Sequence, residues 1–316
     1  MCSPTCRGGS PRRPPRRQTD AVWILKTRCP AVLLPLLVLA CGNDSTPATA
    51  EQVEEAAPED GELRVLTYNV HGLLEFITRD DTPARMRGIS PLLAAFDVAA
   101  IQENFFYSPE LMTDVEHPHV THFDVVDEGT STHSGLTLLS RVPIDASEGE
   151  AWVACNGGVN DGASDCLATK GLQWSRLHVG EAEYATIDIF NLHAEAGGGD
   201  KDNAARDSDI AQLLSAIEVR SADQAVVVVG DFNLHPGDPA DDPLLAKLLA
   251  EGGLTNVCAA VECPEPDHID RFYVRDGDRV TLTPKDWRWE EQFIDADGVD
   301  LSDHPALSSL IGWAAE

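Results

Sequence analysis

A chain of 316 residues, 43% of them hydrophobic, has ample material for a full core, and its length allows one large α/β domain or two small ones. Its 53 acidic residues against 23 Lys and Arg set a formal charge of −30. Such a surface repels phosphate backbones at long range and disfavours tight nonspecific nucleic-acid binding unless a local patch or a bound cation overrides it.

Residues 1–40 stand apart from the rest. A basic lead, "PRRPPRRQ", is followed by an apolar run from Ala31 to Ala40 and then by Cys41. The run is too short to cross a bilayer comfortably and has the layout of a secretory signal. A spanning helix over residues 21–40 would have to bury Lys26 and Arg28, at high cost. The stretch "VLAC" resembles the bacterial lipobox, whose cysteine becomes the lipidated first residue of the mature protein, so Cys41 is the expected lipid anchor. Residues 41–61 lack large apolar side chains and read as an acidic flexible tether, leaving a domain over 62–316. The expected location is outside the cytoplasm, as a bacterial cell-envelope lipoprotein facing the periplasm or the cell surface, or otherwise as a secreted protein. Loss of residues 1–40 removes seven Lys/Arg and one Asp/Glu, which takes the charge from −30 to −36.

The remaining cysteines agree with export. Cys155 with Cys166 and Cys258 with Cys263 form two close pairs, each enclosing a polar or proline-containing loop, as local disulfides do in an oxidising compartment. Neither pair has C-x-x-C spacing and no histidine pair stands at a matching distance, which argues against zinc.

In chain order, the domain alternates strand-like and helix-like segments. Residues 63–70 predict a strand, 83–96 a helix and 97–103 a strand. Residues 116–122, "EHPHVTH", read as a solvated loop. Strands are expected at 134–141, 151–155, 171–179 and 183–194. The clearest helix covers 200–221, with Asp200 or Asp202 as its cap and Ile210, Leu213, Leu214 and Ile217 as its apolar stripe. "AVVVVG" (225–230) reads as a buried strand, and 242–253 as a helix ended by glycine. Strands at 269–274, 279–283 and 305–313 complete the chain. There is no internal repeat, and the order implies a single α/β sandwich of sheets flanked by helices.

Several of these strands end on residues that can do chemistry: Asn69, Glu103, Asn191 with His193, and Asp231 with Asn233. Asp270 and the run Ser302-Asp303-His304 stand at two further strand junctions. One such residue after a strand usually makes a turn. Turn-making accounts for Asn233, but not for a Glu, two His and further Asp at other strand ends. Phosphodiester hydrolysis needs a cation and donors aimed at the phosphoryl oxygens. Glu103, a hard carboxylate near Asn69, suits Mg2+. His304 beside a carboxylate suits a general base for water.

The order "TYNVHG", "IQEN", "SGLTLLSR", "NLHAEAG", "GDFNLHP", "HIDRFY", "LSDHPAL" resembles the endonuclease/exonuclease/phosphatase superfamily, with the deoxyribonuclease I-like fold, over roughly residues 63–313. The resemblance implies a two-sheet α/β sandwich with helices on both outer faces and an active site at one edge of the sheets. It also implies metal-dependent phosphoester hydrolysis, with Mg2+, or alternatively Mn2+ or Ca2+. By resemblance, Asp270 orients His304, Asp303 neighbours the metal and the water, and His193 stabilises the phosphate charge. Asn233 donates to a phosphoryl oxygen, and Asp231 places the water or the leaving group. The stretch 165–179 with Lys170 and the helix after "NLHAEAG" look like neutral sphingomyelinases and their bacterial relatives, which implies a lipid headgroup as substrate. Lys170, Trp287 and Trp289 are the candidate substrate rim, the two tryptophans lying beside Lys285 and Arg288 as in a membrane-facing segment; packing on the domain's own core is the competing reading of that pair. A secreted nuclease and an inositol-phosphate phosphatase are the rival enzymes. Nucleic acid is the less favoured partner, since residues 62–316 carry no extended basic cluster. A non-catalytic binding module is disfavoured, because Glu103, His193, Asp231 and His304 are all present.

Overall fold

The computed structural model describes residues 59–126, 130–158, 164–264 and 268–316. The signal segment, Cys41 and the tether up to residue 58 lie outside the described residues. Residues 59–61, expected in the tether, already belong to the first strand.

The elements in chain order are β1 (Glu59–Asn69), α1 (Glu75–Thr78), α2 (Thr82–Ile89), β2 (Val98–Gln102), α3 (Ser108–Leu111), β3 (His119–His122), β4 (Thr137–Ser140), β5 (Ile144–Ala151), β6 (Gly171–His178) and β7 (Thr186–His193). They continue with α4 (Asp200–Ser221), β8 (Ala225–Asp231), α5 (Asp242–Ala250), β9 (Thr255–Asn256), α6 (Val257–Ala260), β10 (Asp270–Arg275), β11 (Val280–Pro284), β12 (Arg288–Trp289) and β13 (Leu307–Ala315). One sheet runs β11-β13-β1-β2-β4-β3, with β12 also on β13; the other runs β5-β6-β7-β8-β10-β9. Each sheet holds one parallel pair at its centre, β1 with β2 and β7 with β8, among antiparallel neighbours.

Alternation along the strands builds three cores. Val65 of β1, Val98 of β2, Val227 and Val229 of β8 and Phe272 of β10 meet between the sheets. Val226 and Val228 face the other way, under Ile210, Leu213 and Ile217 of α4 and Leu248 of α5. Four consecutive valines are thus required, because β8 is covered on both faces. Leu66 and Tyr68 of β1 pack under Met86 and Ile89 of α2 on the opposite outer face. The result is the two-sheet sandwich with helices on both outer faces.

Local departures from expectation have local causes. The helix expected over 83–96 ends at Ile89 and continues as a 3-10 turn over Ser90–Ala95. Pro91 has no N–H with which to extend the α-helical ladder. The strand expected at 151–155 lies earlier, at Ile144–Ala151, where an edge position leaves much of "IDASEGEA" exposed and removes the apolar cue. Residues His119–His122, expected in a loop, form an edge strand of the other sheet, on β4. Helix α4 starts where expected, but Gly199 is its N-cap; the Asp202 carboxylate accepts from the Gly199 N–H at 2.9 Å. Both disulfides, Cys155–Cys166 and Cys258–Cys263, are present.

Asp286 ties β1 and β13 together at the far side of one sheet. Its carboxylate accepts from Arg64 Nη1 at 2.5 Å and Nη2 at 2.8 Å, and from the Leu310 N–H at 2.6 Å. Burial pushes this carboxyl up, but the hydrogen bonds from Arg64, Arg288 and Leu310 outweigh it and bring it down to about 2. A carboxyl depressed on folding stabilises above its unfolded pKa and loses that contribution as pH falls towards the folded value. Asp286→Asn is expected to cost about 1 kcal/mol at pH 7, since the group is partly solvated. Urea unfolding should show the gap to the wild-type protein narrowing as pH falls from 4 towards 2. A gap that stays constant over that range would contradict the ion-pair role.

Candidate active site

Strand pairing brings the chemical residues to one edge of the sandwich. In the parallel pair β1–β2, Asn69 lies opposite Gln102, so Glu103 follows directly beside it. In β7–β8, His193 lies opposite Asp231, and antiparallel β10 places Asp270 opposite Asp231 in turn. Strand β13 returns antiparallel to β1, with Leu307 opposite Thr67, so the segment Ser302-Asp303-His304 sits over the same edge.

Two of these residues sit in left-handed backbone, Glu103 at φ 57° and Asn233 at φ 50°. A glutamate held there costs about 1 kcal/mol or more and persists only where surroundings enforce it. Gly135 is part of that enforcement. A Cβ there would stand 3.0 Å from Glu103 Cα and 2.7 Å from the Phe105 ring.

Asp231 Oδ2 is the centre of the cluster. It accepts from Asn69 Nδ2 at 3.2 Å, and His193 Nε2 and His304 Nε2 lie 3.5 and 3.7 Å away. Asn69 Nδ2 also donates to Glu103 Oε1 at 3.0 Å, and its Oδ1 accepts from the His71 N–H at 3.1 Å. Asp231 Oδ1 accepts from the Asn233 N–H at 3.0 Å, while Asn233 Nδ2 donates to Ala194 O at 3.1 Å. His304 and Asp270 are joined through Nδ1 and Oδ2 at 2.8 Å. This bond fixes the imidazole and turns Nε2 towards Asp231.

The charges follow from this packing. Burial pushes the Glu103 carboxyl up, and the neighbouring Asp231 adds to it, against Lys170 and the Asn69 hydrogen bond. Burial and the charges of Lys170 and His304 hold His193 well below the usual imidazole range, so it is neutral. Burial pushes Asp270 up to about 6, with Asp231 adding and His304 opposing. Burial lowers His304, but the hydrogen bond to Asp270 and the charges of Asp270, Asp231 and Asp303 outweigh it and raise it to about 10. Without a cation, His304 therefore holds a proton among carboxylates.

Glu103 Oε2 is buried and has no hydrogen-bond partner among the described residues. An orphaned hard oxygen beside Asn69 is what a divalent cation of the Mg2+ type would take up. Asp303, expected with Asn69 and Glu103 around the metal, instead pairs with His71 Nδ1 at 3.3 Å, with its side chain 58% exposed. Among the described residues, the group whose ligand atoms converge within 4.8 Å of one another is Asp231, Asp270 and His304.

Lys170 lines the same cavity as Glu103, His193, Asp231, Asn233 and His304, and it is ion-paired with the buried Asp165. Trp287, expected at a rim, is 8% exposed and belongs to the core between the sheets, where the apolar area of an indole is best buried. Its ring meets Trp289 edge-on at 5.9 Å; Trp289 is only partly buried.

Several supporting roles are not announced by the sequence, although Asn191 and Ser302 themselves stand out at strand ends. Arg85 of α2 donates to Leu301 O at 2.6 Å and to His71 O at 3.0 Å, clasping the two loops that carry His71 and Asp303. Ser302 Oγ donates to Asn69 O at 2.7 Å and pins the His304 segment to the end of β1. Asn191 points beneath the site, where its Oδ1 accepts from Gln102 Nε2 at 2.7 Å and its Nδ2 donates to Ile101 O at 3.1 Å across the sheets. Only the polar strand end "QEN" facing "NLH" hints at this bridge.

Comparison with known proteins places the chain in a family and matches its fold. A family model described as the Endonuclease/Exonuclease/phosphatase family matches residues 66–304. Sphingomyelinases of Mycobacterium bovis and Mycobacterium tuberculosis are 29% identical over 269 residues, a match that covers 78% of this chain and 52% of theirs. The chain thus spans about half the length of the curated relatives it matches. A mutant beta toxin from Staphylococcus aureus with bound magnesium ions superposes with a TM-score of 0.59 at 15% identity, covering 79% of this chain and 99% of that one. Sphingomyelinase C from Streptomyces griseocarneus gives a TM-score of 0.57 at 20% identity, covering 80% and 99%. At these identities the structural likeness speaks for the fold.

The bridge under the site gives a measurable expectation. Asn191→Leu removes the shortest contact of the Gln102 amide, which keeps Thr67 Oγ1 and Ala100 O, and takes the Asn191 donor away from the Ile101 and Thr137 carbonyls. A stranded buried polar group typically costs about 1–3 kcal/mol. Urea unfolding should show a loss of at least about 2 kcal/mol; a loss below half of that would mean that the bridge does not hold the two sheets in place.

Proposed function

The chain belongs to the Endonuclease/Exonuclease/phosphatase family, and from that premise we propose that it is a divalent-metal-dependent phosphodiesterase acting on a phospholipid, with sphingomyelin as substrate. The observation that carries the catalytic part is the Asp270–His304 pair at 2.8 Å standing beside the orphaned Glu103 oxygen. One element binds a proton in a fixed direction, and the other offers charge to a cation.

Glu103 and Asn69 are the residues that would hold the ion, with Asp231 beside them. A divalent cation held there would supply positive charge for the phosphate and would offset the carboxylates that otherwise keep His304 protonated. His304 Nε2 then takes the proton of the attacking water, while Asp270 holds Nδ1 and stabilises the imidazolium that forms. Asn233 and neutral His193 line the phosphate cavity with polar groups, and Lys170 supplies positive charge at its wall. Asp303, exposed and next to His304 in the chain, would help place the attacking water.

The lipid part of the reading has two supports. One is the 29% identity to mycobacterial sphingomyelinases. The other is the cavity of about 530 Å3 that holds the catalytic groups, whose lining also includes Leu73, Leu74, Ile77, Phe105, Phe106 and Leu167. A nucleic acid has no use for such a lining; an acyl-bearing leaving group does. Export and lipid tethering through Cys41, proposed from the sequence, would keep the enzyme at a membrane surface.

The test compares release of phosphocholine from sphingomyelin vesicles, nicking of plasmid DNA and phosphate release from inositol phosphates, each with Mg2+ and with EDTA. Phosphocholine release that depends on Mg2+ is expected. His304→Ala and Glu103→Ala should each lower it by about 100-fold or more without unfolding the domain. Plasmid nicking alone would refute the lipid substrate, and wild-type turnover by His304→Ala would refute the mechanism.

A further inference from the structure

His304 forms a wall of two cavities of opposite character. The first is the one described above, lined by the catalytic groups and by apolar side chains. The second, of about 600 Å3, lies on the Asp303 side of His304. Trp289 and Phe293 supply its aromatic lining, and Glu290, Glu291, Asp300 and Asp303 supply four carboxylates, with no Lys or Arg in the lining.

Two of these acids are engaged. Glu290 accepts from Ser308 Oγ and from Gln292 Nε2, and Asp303 pairs with His71. Glu291 and Asp300 are exposed, and neither side chain has a hydrogen-bond or ion-pair partner among the described residues. The carboxylates of this cavity do not converge on a point as metal ligands do; the convergent group among the described residues is the catalytic one. Aromatic faces with dispersed negative charge instead match a large, weakly hydrated cation.

We propose that this second cavity is the headgroup subsite, binding the quaternary ammonium of a phosphocholine ester while the phosphate sits at His304 and the apolar leaving group lies in the first cavity. This deepens the phosphodiesterase reading and rests on it. The two cavities then match the two ends of one amphiphile, and the reacting phosphorus lies where they share a residue. The same acidic cavity repels a polyphosphate strand, which carries charge of the wrong sign on both sides of every phosphodiester. Glu291 and Asp300 act here as specificity residues, and Trp289 as the surface on which the ammonium packs.

The experiment uses two soluble substrates and the full chain with Mg2+: p-nitrophenylphosphorylcholine, which carries the cation, and bis(p-nitrophenyl) phosphate, which does not. The double variant Glu291→Gln/Asp300→Asn is expected to raise KM for the choline ester about tenfold, the effect of one desolvated cation contact. Its kcat/KM on bis(p-nitrophenyl) phosphate should stay within twofold of wild type. Tetramethylammonium should compete with the choline ester and lose about tenfold in potency against the variant. Calorimetric binding of tetramethylammonium in EDTA should weaken by the same factor, which separates the subsite from the metal. Equal losses on both substrates, or no change on either, would overturn the subsite while hydrolysis by the wild type stands. A wild-type protein that cleaves bis(p-nitrophenyl) phosphate but not the choline ester refutes the headgroup assignment alone. Silence on both substrates refutes the phosphodiesterase reading and the subsite with it.

Discussion

Three carboxylates, Glu103, Asp231 and Asp270, are brought together at a buried sheet edge where like charges repel and water does not screen them. The compensation is specific. Asp231 Oδ2 accepts from Asn69 and faces two imidazoles, Asp270 holds His304, and Glu103 Oε1 accepts from Asn69. Among the described residues, one oxygen of Glu103, Oε2, and one of Asp270, Oδ1, are left buried without a hydrogen-bond partner. In the proposed reading that residual negative charge is what draws a cation, and the fold must be rigid enough to keep it from relaxing.

Rigidity comes from the way the sandwich is strung. Each sheet contributes one parallel pair, and all four of those strands finish at the same edge with full ladders behind them. The left-handed turns at Glu103 and Asn233 are held by the packing of Gly135 against Phe105 and by the bond from Asn233 to Ala194. Below them, Asn191 and Gln102 lock the sheets to each other. Above them, Ser302 and Arg85 fasten the loop that carries His304 to the end of β1. The chemistry thus sits on strand ends and is closed by one returning loop.

Much of this is legible in the chain because chemistry and secondary structure change at the same residues. The run Val226–Val229 has to be a doubly covered strand, and Asp231 with Asn233 directly after it can be marked as functional once Glu103, His193 and His304 recur at other strand ends. Helix α4 is readable from its apolar stripe, over the same residues that the structure assigns. The edge strands β3 and β5 are not readable, since one half-exposed row of side chains gives no apolar period. Asp303 reads as a metal neighbour from its place in "LSDH", yet its partner is His71, which no spacing announces. Trp287 and Trp289 are two apart and read as one face; in space the first is core and the second borders a cavity. Pairing across 34 residues, as between Asp270 and His304, follows from sheet register and not from sequence distance.

The proposed mechanism has one chemical consequence: water attacks phosphorus, and the bond that breaks is the one from phosphorus to the leaving oxygen. Hydrolysis of sphingomyelin in water enriched in oxygen-18 tests this directly. Mass spectrometry is expected to find one labelled oxygen in the phosphocholine and none in the ceramide. Label in the ceramide, or release of phosphocholine without label, would contradict attack of water at phosphorus.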